Sequence, residues 1–212
     1  VLLVHGFVGV GGMKMGKSLG NGVSPMEVID AYGTDAFRYY FSRHIPTQED
    51  GDFTWEKFEN AYNNELGNDL GNLVQRVSAM ITRYQAGVIG NAAQTEHDMG
   101  PYRDAMNAYE FNKALDIVWN TVRSLNQYLE QVKPWEIAKN REKDTEAADH
   151  LAEVLAHAAS TLIQAADLLV PFMPATAEQV RKTFDTGVVP SNVVPLFPKM
   201  YLHSQDPRAP KA

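Results

Sequence analysis

The chain of 212 residues contains no cysteine, so it can form neither a disulfide framework nor a thiolate metal site. It also lacks any uncharged apolar run of about eighteen residues, which argues against a membrane-spanning helix. Positive charge is scarce, because 19 lysines and arginines stand against 26 aspartates and glutamates, for a formal net charge of -7. This balance argues against a protein that coats nucleic acid through bulk charge. Any contact with nucleic acid must come from a local patch, from stacking or from hydrogen bonds to bases.

The remaining composition, 44% hydrophobic and 21% charged, is that of a soluble globular protein. The chain opens with four apolar residues, VLLV, without an initiator methionine or a basic leader. This opening is typical of the middle of a strand and not of a signal peptide. We therefore expect a cytoplasmic protein with no membrane partner. We also expect the chain to be a fragment whose missing N-terminal part completes its site.

The first fifty residues predict a small mixed α/β piece. Residues 1–10 are β-rich and predict a strand or short hairpin, and a loop is expected from Gly11 to Gly22. Ser24 before Pro25 predicts a helix that ends at Gly33, and Thr34 is expected to cap a second helix. The acidic residues at 49–52 are expected to form a solvated turn without metal-ligand spacing.

From residue 54 the pattern is helical, with apolar residues three and four positions apart. Such stripes mark amphipathic helices packed into a bundle, so the predicted fold class is mainly α, an antiparallel helix bundle. A short fourth helix is expected over 175–184, and the proline-rich tail after 188 is expected to pack as an extended strap. The three stripes are Tyr62, Leu66, Leu70, Leu73, Val77, Ile81 and Tyr84; Phe111, Ala114, Leu115, Val118, Val122, Leu125 and Leu129; and Leu151, Val154, Leu155, Ala158, Ala159, Leu162, Ala166 and Leu169.

Residues 11–18 (GGMKMGKS) follow the first strand and fit the phosphate-binding P-loop pattern. A P-loop delivers phosphates to a helix that begins at its lysine and serine. Here two glycines and a proline occur within the next eight residues, and both residue types oppose an immediate helix. The rest of the chain does not alternate strands and helices, so the P-loop interpretation is disfavoured.

Residues 14–21 (KMGKSLGN) instead resemble the KMSKS loop of class I aminoacyl-tRNA synthetases, with glycine in place of the first serine. In that family the loop is mobile, and its lysines stabilise the ATP phosphates while an aminoacyl-adenylate forms. Two lysines on a flexible loop suit this role, because they can meet charge that develops on the departing pyrophosphate. The resemblance implies two catalytic lysines, with Lys17 as the main phosphate contact and Lys14 assisting. The implied ATP-binding residues are Lys14, Met15, Gly16, Lys17 and Ser18.

Downstream segments are similar to methionyl-tRNA synthetases: residues 30–40 (DAYGTDAFRYY), 64–76 (NELGNDLGNLVQR) and 133–135 (KPW). This resemblance implies a methionine–tRNA ligase that uses methionine, ATP with Mg²⁺, and tRNA(Met), with no metal site in this chain. Residues 1–53 would be the end of a Rossmann-like catalytic domain with a connecting fold. Residues 54–188 would be the anticodon-binding bundle and 189–212 the strap. A chain without the upstream nucleotide-binding fold is expected to be inactive alone.

The same resemblance implies that Asn68, Asn72, Arg76 and Trp135 read the CAU anticodon. At about 100° per residue, the first three fan over roughly 80° of helix surface, with their centre roughly 125° from the apolar stripe. Exposed amides and a guanidinium can bind base edges, and an indole can stack on an unpaired base. Two glycines at 67 and 71 leave a bare strip that something could approach closely.

Several alternatives stay open at this point. Asparagines and an arginine four residues apart also occur on plain solvated helix faces, and a tryptophan after proline is often a core residue. Trp55 and Trp119 sit at expected core positions, and His5 is as readily structural as functional. Another class I synthetase, such as the cysteinyl enzyme, and a helical tRNA-binding or scaffolding module without catalysis remain the rival functions.

Overall fold

The computed structural model describes residues 2–16, 19–90 and 98–203. Its elements confirm a mainly α protein in which a helix bundle follows a small α/β piece. In chain order the elements are β1 (Val8–Val10), β2 (Met13–Lys14), α1 (Pro25–Tyr32), α2 (Thr34–Arg43), β3 (Gly51–Phe53), α3 (Trp55–Asn60), a π-helix (Ala61–Gly71), α4 (Asn72–Gln85), α5 (Gly100–Asn107), α6 (Phe111–Val132), α7 (Pro134–Ile137), α8 (Thr145–Leu169) and α9 (Pro174–Phe184).

The short strands form one sheet in the order β2-β1-β3, with β1 antiparallel to β2 and parallel to β3. Gly11 and Gly12 join β1 to β2 with φ of 60° and 77°. Positive φ at both central residues is what a tight two-residue hairpin requires, and only glycine adopts it without strain. The predicted loop from Gly11 is therefore wrong at Met13–Lys14, which form a strand because β1 offers an edge to pair with.

The acidic segment was also predicted wrongly as a merely solvated turn, since Gly51–Phe53 is strand β3. Asp50 Oδ1 accepts a hydrogen bond of 2.8 Å from the backbone N–H of Phe7. Asp52 Oδ1 accepts one of 2.7 Å from Gly12 N–H, and its other oxygen lies 2.8 Å from Lys57 Nζ. These two carboxylates tie the N-terminal hairpin to the chain that follows α2.

Helices α1 and α2 lie where they were predicted, but their caps differ. Pro25 starts α1, and the Ser24 side chain makes no capping hydrogen bond; its backbone carbonyl accepts from Glu27 N–H at 3.0 Å. Thr34 is the first residue of α2 and not its cap, because Gly33 occupies that position with φ of 88°. Proline geometry and the glycine break therefore determine these ends without a side-chain cap.

The segments α3, π-helix and α4 run on without a break from Trp55 to Gln85. Thr54 caps this long helix, since its Oγ1 accepts from Lys57 N–H at 3.2 Å. A π-helix closes each turn with an i→i+5 hydrogen bond, and runs of this length are rare. The predicted step of 100° per residue is therefore wrong for the stretch that contains Asn68, because a wider turn holds more residues.

The bundle core contains the predicted apolar stripes. Every stripe residue is buried except Phe111 and Tyr84, which are partly buried at the ends of their stripes. Trp119 is fully buried as expected, whereas Trp55 is only partly buried. None of the helices in the described parts of the chain is long and apolar enough to cross a membrane.

The described part of the tail, residues 189–203, runs without helix or strand along the long helix. Val189 N–H donates to Gly87 O at 2.8 Å, and Gln75 Nε2 donates to Val193 O at 3.0 Å. Farther along, the strap reaches the start of the long helix, where the His203 ring stacks on Trp55 with 3.6 Å between centroids. The strap therefore follows the long helix from α4 back to α3. The boundaries 1–53, 54–188 and 189–212 remain predictions.

Candidate functional site

The lysine-rich loop begins at the end of β2 and is closed by one side chain. Asn21 Nδ2 donates to Lys14 O at 3.2 Å, and Asn21 Oδ1 accepts from Gly16 N–H at 3.0 Å. This double contact brings the two ends of the loop together, so Lys14, Met15 and Gly16 stand at its base. Lys17 and Ser18, the other predicted ATP-binding residues, lie outside the described residues. Among the described residues that follow, 19–24 form no α-helix and helix α1 begins only at Pro25, which disfavours the P-loop interpretation.

A cavity of about 460 Å³ lies beside this hairpin, lined by residues of β1, β2 and β3 and by Phe7, Asp50 and Asp52. Lys14 Nζ stands 5.5 Å from the centre of the exposed Phe7 ring. The Gly12 N–H, followed by Lys57, holds the pKa of Asp52 below its usual range, so this carboxylate is ionised. Two carboxylates in the lining disfavour a phosphate inside the cavity. Lys14 lines the same cavity, so its ammonium group offsets part of that negative charge.

The predicted anticodon residues Asn68 and Asn72 belong to a ladder of amides along one side of the long helix. Asn72 Nδ2 donates to Asn68 Oδ1 at 3.3 Å, and Asn68 Nδ2 donates to Asn64 Oδ1 at 3.1 Å. Asn64 in turn donates to Asn60. Asn60, Asn64 and Asn72 are exposed, and Asn68 is partly exposed. Asn60 and Asn64 were not among the predicted site residues, although their four-residue spacing continues the same pattern.

Arg76 lies one turn beyond Asn72 and contacts α6. Its Nη1 is 2.5 Å from Glu130 Oε1, and its Nη2 donates to Asn126 Oδ1 at 3.0 Å. About a third of the Arg76 side chain is exposed, and Glu130 is 61% exposed. A guanidinium in this position is oriented by the protein while part of it still faces solvent.

Trp135 is the second residue of α7, which follows directly from the end of α6. Lys133 turns the chain in the left-handed conformation with φ of 52°, and the buried Pro134 starts the new helix. Trp135 itself is partly buried against the core, so it is neither a fully buried core residue nor a free platform. Since Glu130 lies in the last turn of α6, the structure places Arg76 beside the helix end that leads into Trp135.

The bare glycine strip is filled by the protein's own strap. A Cβ built on Gly67 would lie 3.5 Å from Phe197 O, and one on Gly71 would lie 3.9 Å from Phe197 N. Asn63, 2% exposed, adds a two-point contact, because its Nδ2 donates to Met200 O at 2.7 Å while its Oδ1 accepts from Met200 N–H at 3.0 Å. The predicted close approach is therefore confirmed for this strip, and the approaching group is the strap.

A cluster of charged and aromatic side chains joins α2 to the π-helix, and sequence reasoning missed it. Arg43 Nε lies 3.1 Å from Glu65 Oε2, and its guanidinium sits 5.0 Å from the Trp119 ring centre. Burial alone would raise the pKa of Glu65. Hydrogen bonds from His44 and Tyr39 together with the Arg43 charge outweigh burial and hold that pKa below its usual value of 4.5. The cluster anchors the helix that carries the asparagine ladder.

Comparison with known families assigns the two parts of the chain. Residues 1–78 match the family described as tRNA synthetases class I (M), and residues 93–205 match the anticodon-binding domain of tRNA ligases. The second match alone covers more than half of the chain. The chain belongs to the methionyl-tRNA synthetase family.

Individual methionyl-tRNA synthetases agree with this placement. Methionine–tRNA ligase 1 of Bacillus cereus is 40% identical over 184 residues, which cover 81% of this chain and 27% of the relative. The Bacillus subtilis ligase is 38% identical over 191 residues, covering 84% of this chain and 28% of the relative. The chain therefore spans little more than a quarter of the length of these relatives.

A solved structure, the Mycobacterium tuberculosis methionyl-tRNA synthetase bound by methionyl-adenylate, superposes on the fold with a TM-score of 0.81 at 25% identity. The match covers 92% of this chain and 43% of that one. In the described part of the chain, no cluster of three or more histidine, aspartate or glutamate side chains is placed to hold a metal ion.

Proposed function

We propose that this chain serves methionine–tRNA ligation in the cytoplasm. Methionine and ATP, with Mg²⁺, give methionyl-adenylate and pyrophosphate, and the methionyl group then passes to tRNA(Met) with release of AMP. Within this reaction the chain contributes the lysine loop and the reader of the CAU anticodon. The observation that carries the proposal is the exposed amide ladder that leads to Arg76, in a chain of the methionyl-tRNA synthetase family.

The reader chemistry follows from the donors and acceptors on the surface. Each amide of the ladder has an oxygen acceptor and an N–H donor, and Arg76 adds N–H donors in a planar fork. An anticodon loop displays unpaired bases, whose edges need such partners and whose faces can stack on an indole. With a net charge of -7 the chain has little bulk attraction for RNA, so base contacts must supply a large share of the affinity.

In the N-terminal loop, Lys14 and Lys17 bind the ATP phosphates in this proposal. Their ammonium groups stabilise the negative charge that builds up on the departing pyrophosphate. This raises the reaction rate only if the stabilisation is stronger in the transition state than in the bound substrate. Met15, Gly16 and Ser18 complete the loop, and Asn21 holds its base closed.

The reader is tested with hairpin RNAs that copy the anticodon stem and loop. Binding of the chain to a CAU hairpin is compared with three hairpins that each change one anticodon base, at two salt concentrations. The CAU preference should persist at the higher salt, because phosphate contacts weaken with salt without regard to base identity. Arg76→Ala and Trp135→Ala should erase it. Arg103→Ala, on the exposed face of α5, is the control. Equal binding to all hairpins would reject the reader.

The loop is tested in the full-length protein by ATP–pyrophosphate exchange. Lys17→Ala should lower the exchange rate by about a hundredfold, the loss typical of removing one group that stabilises developing charge. Lys14→Ala should lower it less, and Lys57→Ala, whose amine pairs with Asp52, serves as the control lysine. If both loop variants keep the exchange rate of the unchanged protein, the loop lysines do not act on the ATP phosphates.

A further inference from the structure

Asn126 lies on α6 between the π-helix and Arg76 and contacts both. Its Nδ2 donates to the carbonyl of Asp69 at 3.1 Å and to the carbonyl of Val122 at 3.3 Å. Its Oδ1 accepts from Arg76 Nη2 at 3.0 Å. The side chain is partly buried, which shelters these bonds from competing water.

The chemistry of the partners allows only one orientation of this amide. The two carbonyls can only accept hydrogen bonds, so they require the NH₂ group, which has two donors. The guanidinium of Arg76 can only donate, so it requires the oxygen. A flipped amide would set an oxygen against two carbonyl oxygens and an NH₂ group against a cation. Asn126 is therefore locked by three partners at once.

This lock acts on the proposed reader at two points. Asp69 lies between Asn68 and Asn72, so the bond to its carbonyl braces the turn that presents both amides. The bond to Nη2, together with the Glu130 contact at Nη1, restricts the plane of the Arg76 guanidinium. Its other N–H donors are the ones that can reach a base. A planar donor group discriminates between bases only if its plane is held.

We propose that Asn126 is a positioning residue for anticodon recognition: its amide orients Arg76 and braces the Asp69 turn, and thereby sets base preference. The inference rests on the proposed reader function. Asn126 touches no base itself; it keeps Arg76 and the asparagines in the geometry that favours the correct base over a wrong one.

A purely structural Asn126 would behave differently. In that case Asn126→Ala would weaken the fold and lower binding to every hairpin by the same factor. A positioning residue changes the ratio between hairpins, and it does so only while Arg76 is present. Two mutations that act through one contact are not additive, so a double-mutant cycle separates the two roles.

The experiment measures the ratio of affinities for the CAU hairpin and for each single-base variant in four forms of the 212-residue chain. These are the unchanged chain, Asn126→Ala, Arg76→Ala and the double variant. Asn126→Ala should lower the ratio by about tenfold, which corresponds to about 1.4 kcal/mol, while affinity for the mismatched hairpins stays within about twofold. Because Arg76→Ala alone should already erase the preference, the readout in that background is affinity. Asn126→Ala should there change binding to every hairpin by less than about twofold, whereas a purely structural Asn126 would weaken binding to all of them. Asn120→Ala, an exposed asparagine on the same helix, should leave it unchanged.

If Asn126→Ala does not fold, Asn126→Ser addresses the same question. A serine can return its hydroxyl to the carbonyl four residues earlier, as Asn126 does to Val122, but it is too short to bridge Asp69 and Arg76. If Asn126→Ala or Asn126→Ser leaves the ratio of affinities unchanged, the inference about Asn126 is overturned, but the proposed reader function stands. Equal binding of all hairpins by the unchanged chain overturns the proposed reader function, and the inference falls with it.

Discussion

Replacing Asn63 with alanine should detach the C-terminal strap from the long helix. Asn63 is 2% exposed and makes three hydrogen bonds: Nδ2 to Met200 O at 2.7 Å, Oδ1 from Met200 N–H at 3.0 Å, and Nδ2 to Glu59 O at 2.9 Å. The first two imitate a strand pair, because one amide satisfies both backbone groups of a residue 137 positions away. Alanine would leave both Met200 groups without these partners.

The magnitude follows from those bonds. A hydrogen bond contributes about 1 kcal/mol net, and a buried group left without a partner costs about 1–3 kcal/mol. Losing the two strap bonds should therefore lower the free energy of unfolding by about 2–3 kcal/mol. For a chain of this size that corresponds to a fall in Tm of about 4–12 °C. The substitution could instead release the strap locally, so that the strap detaches from the long helix while the rest of the chain stays folded.

Two assays distinguish these outcomes. Thermal unfolding measures the global loss, and the rate of tryptic cleavage at the exposed Lys199 measures release of the strap. Asn64→Ala is the matched control, because this neighbouring asparagine is exposed and should change Tm by less than about 1 °C. The reasoning fails if Asn63→Ala and Asn64→Ala give the same Tm and the same cleavage rate.

Three further predictions concern the Glu65 cluster and the chain as a whole. The pKa of Glu65 is lowered in the fold, so its stabilisation is present above the usual 4.5 and is lost as pH falls through the folded value. The urea concentration at the midpoint of unfolding should therefore fall as the pH is lowered below 4.5, and it should fall less in Glu65→Gln. Arg43→Ala should destabilise by about 2–3 kcal/mol in urea unfolding, because it removes a charged partner from a mostly buried carboxylate that keeps His44 and Tyr39; adding Glu65→Gln should recover part of this loss. The isolated chain should catalyse no ATP–pyrophosphate exchange, and any exchange above a no-protein control would contradict this.

The spacing of residue types predicted the helices of the bundle but not the π-helix within the long helix. The three apolar stripes predicted the long helices correctly, since a residue every three or four positions must face the same side of a helix. The glycines at 67 and 71 correctly indicated a close approach. Periodicity could not indicate the π-helix, because an α-helix over the same residues would show nearly the same pattern of apolar positions.

The strands and polar contacts were harder to predict for a related reason. Met13–Lys14 and Gly51–Phe53 are two and three residues long, so they are strands only because β1 offers them partners. The partners of Asn63 and Arg43 are likewise distant in sequence, at Met200 and at Leu115, whose carbonyl accepts from Arg43 Nη1 at 3.1 Å. No local pattern marks one end of such a pair.

The sequence by itself determined the helical bundle and the family, because these depend on local spacing and residue type. Tertiary structure alone decided that the strap fills the glycine strip and that α6 orients Arg76. Those features arise where segments far apart in the chain meet, and there the hydrogen-bonding needs of buried groups select one arrangement.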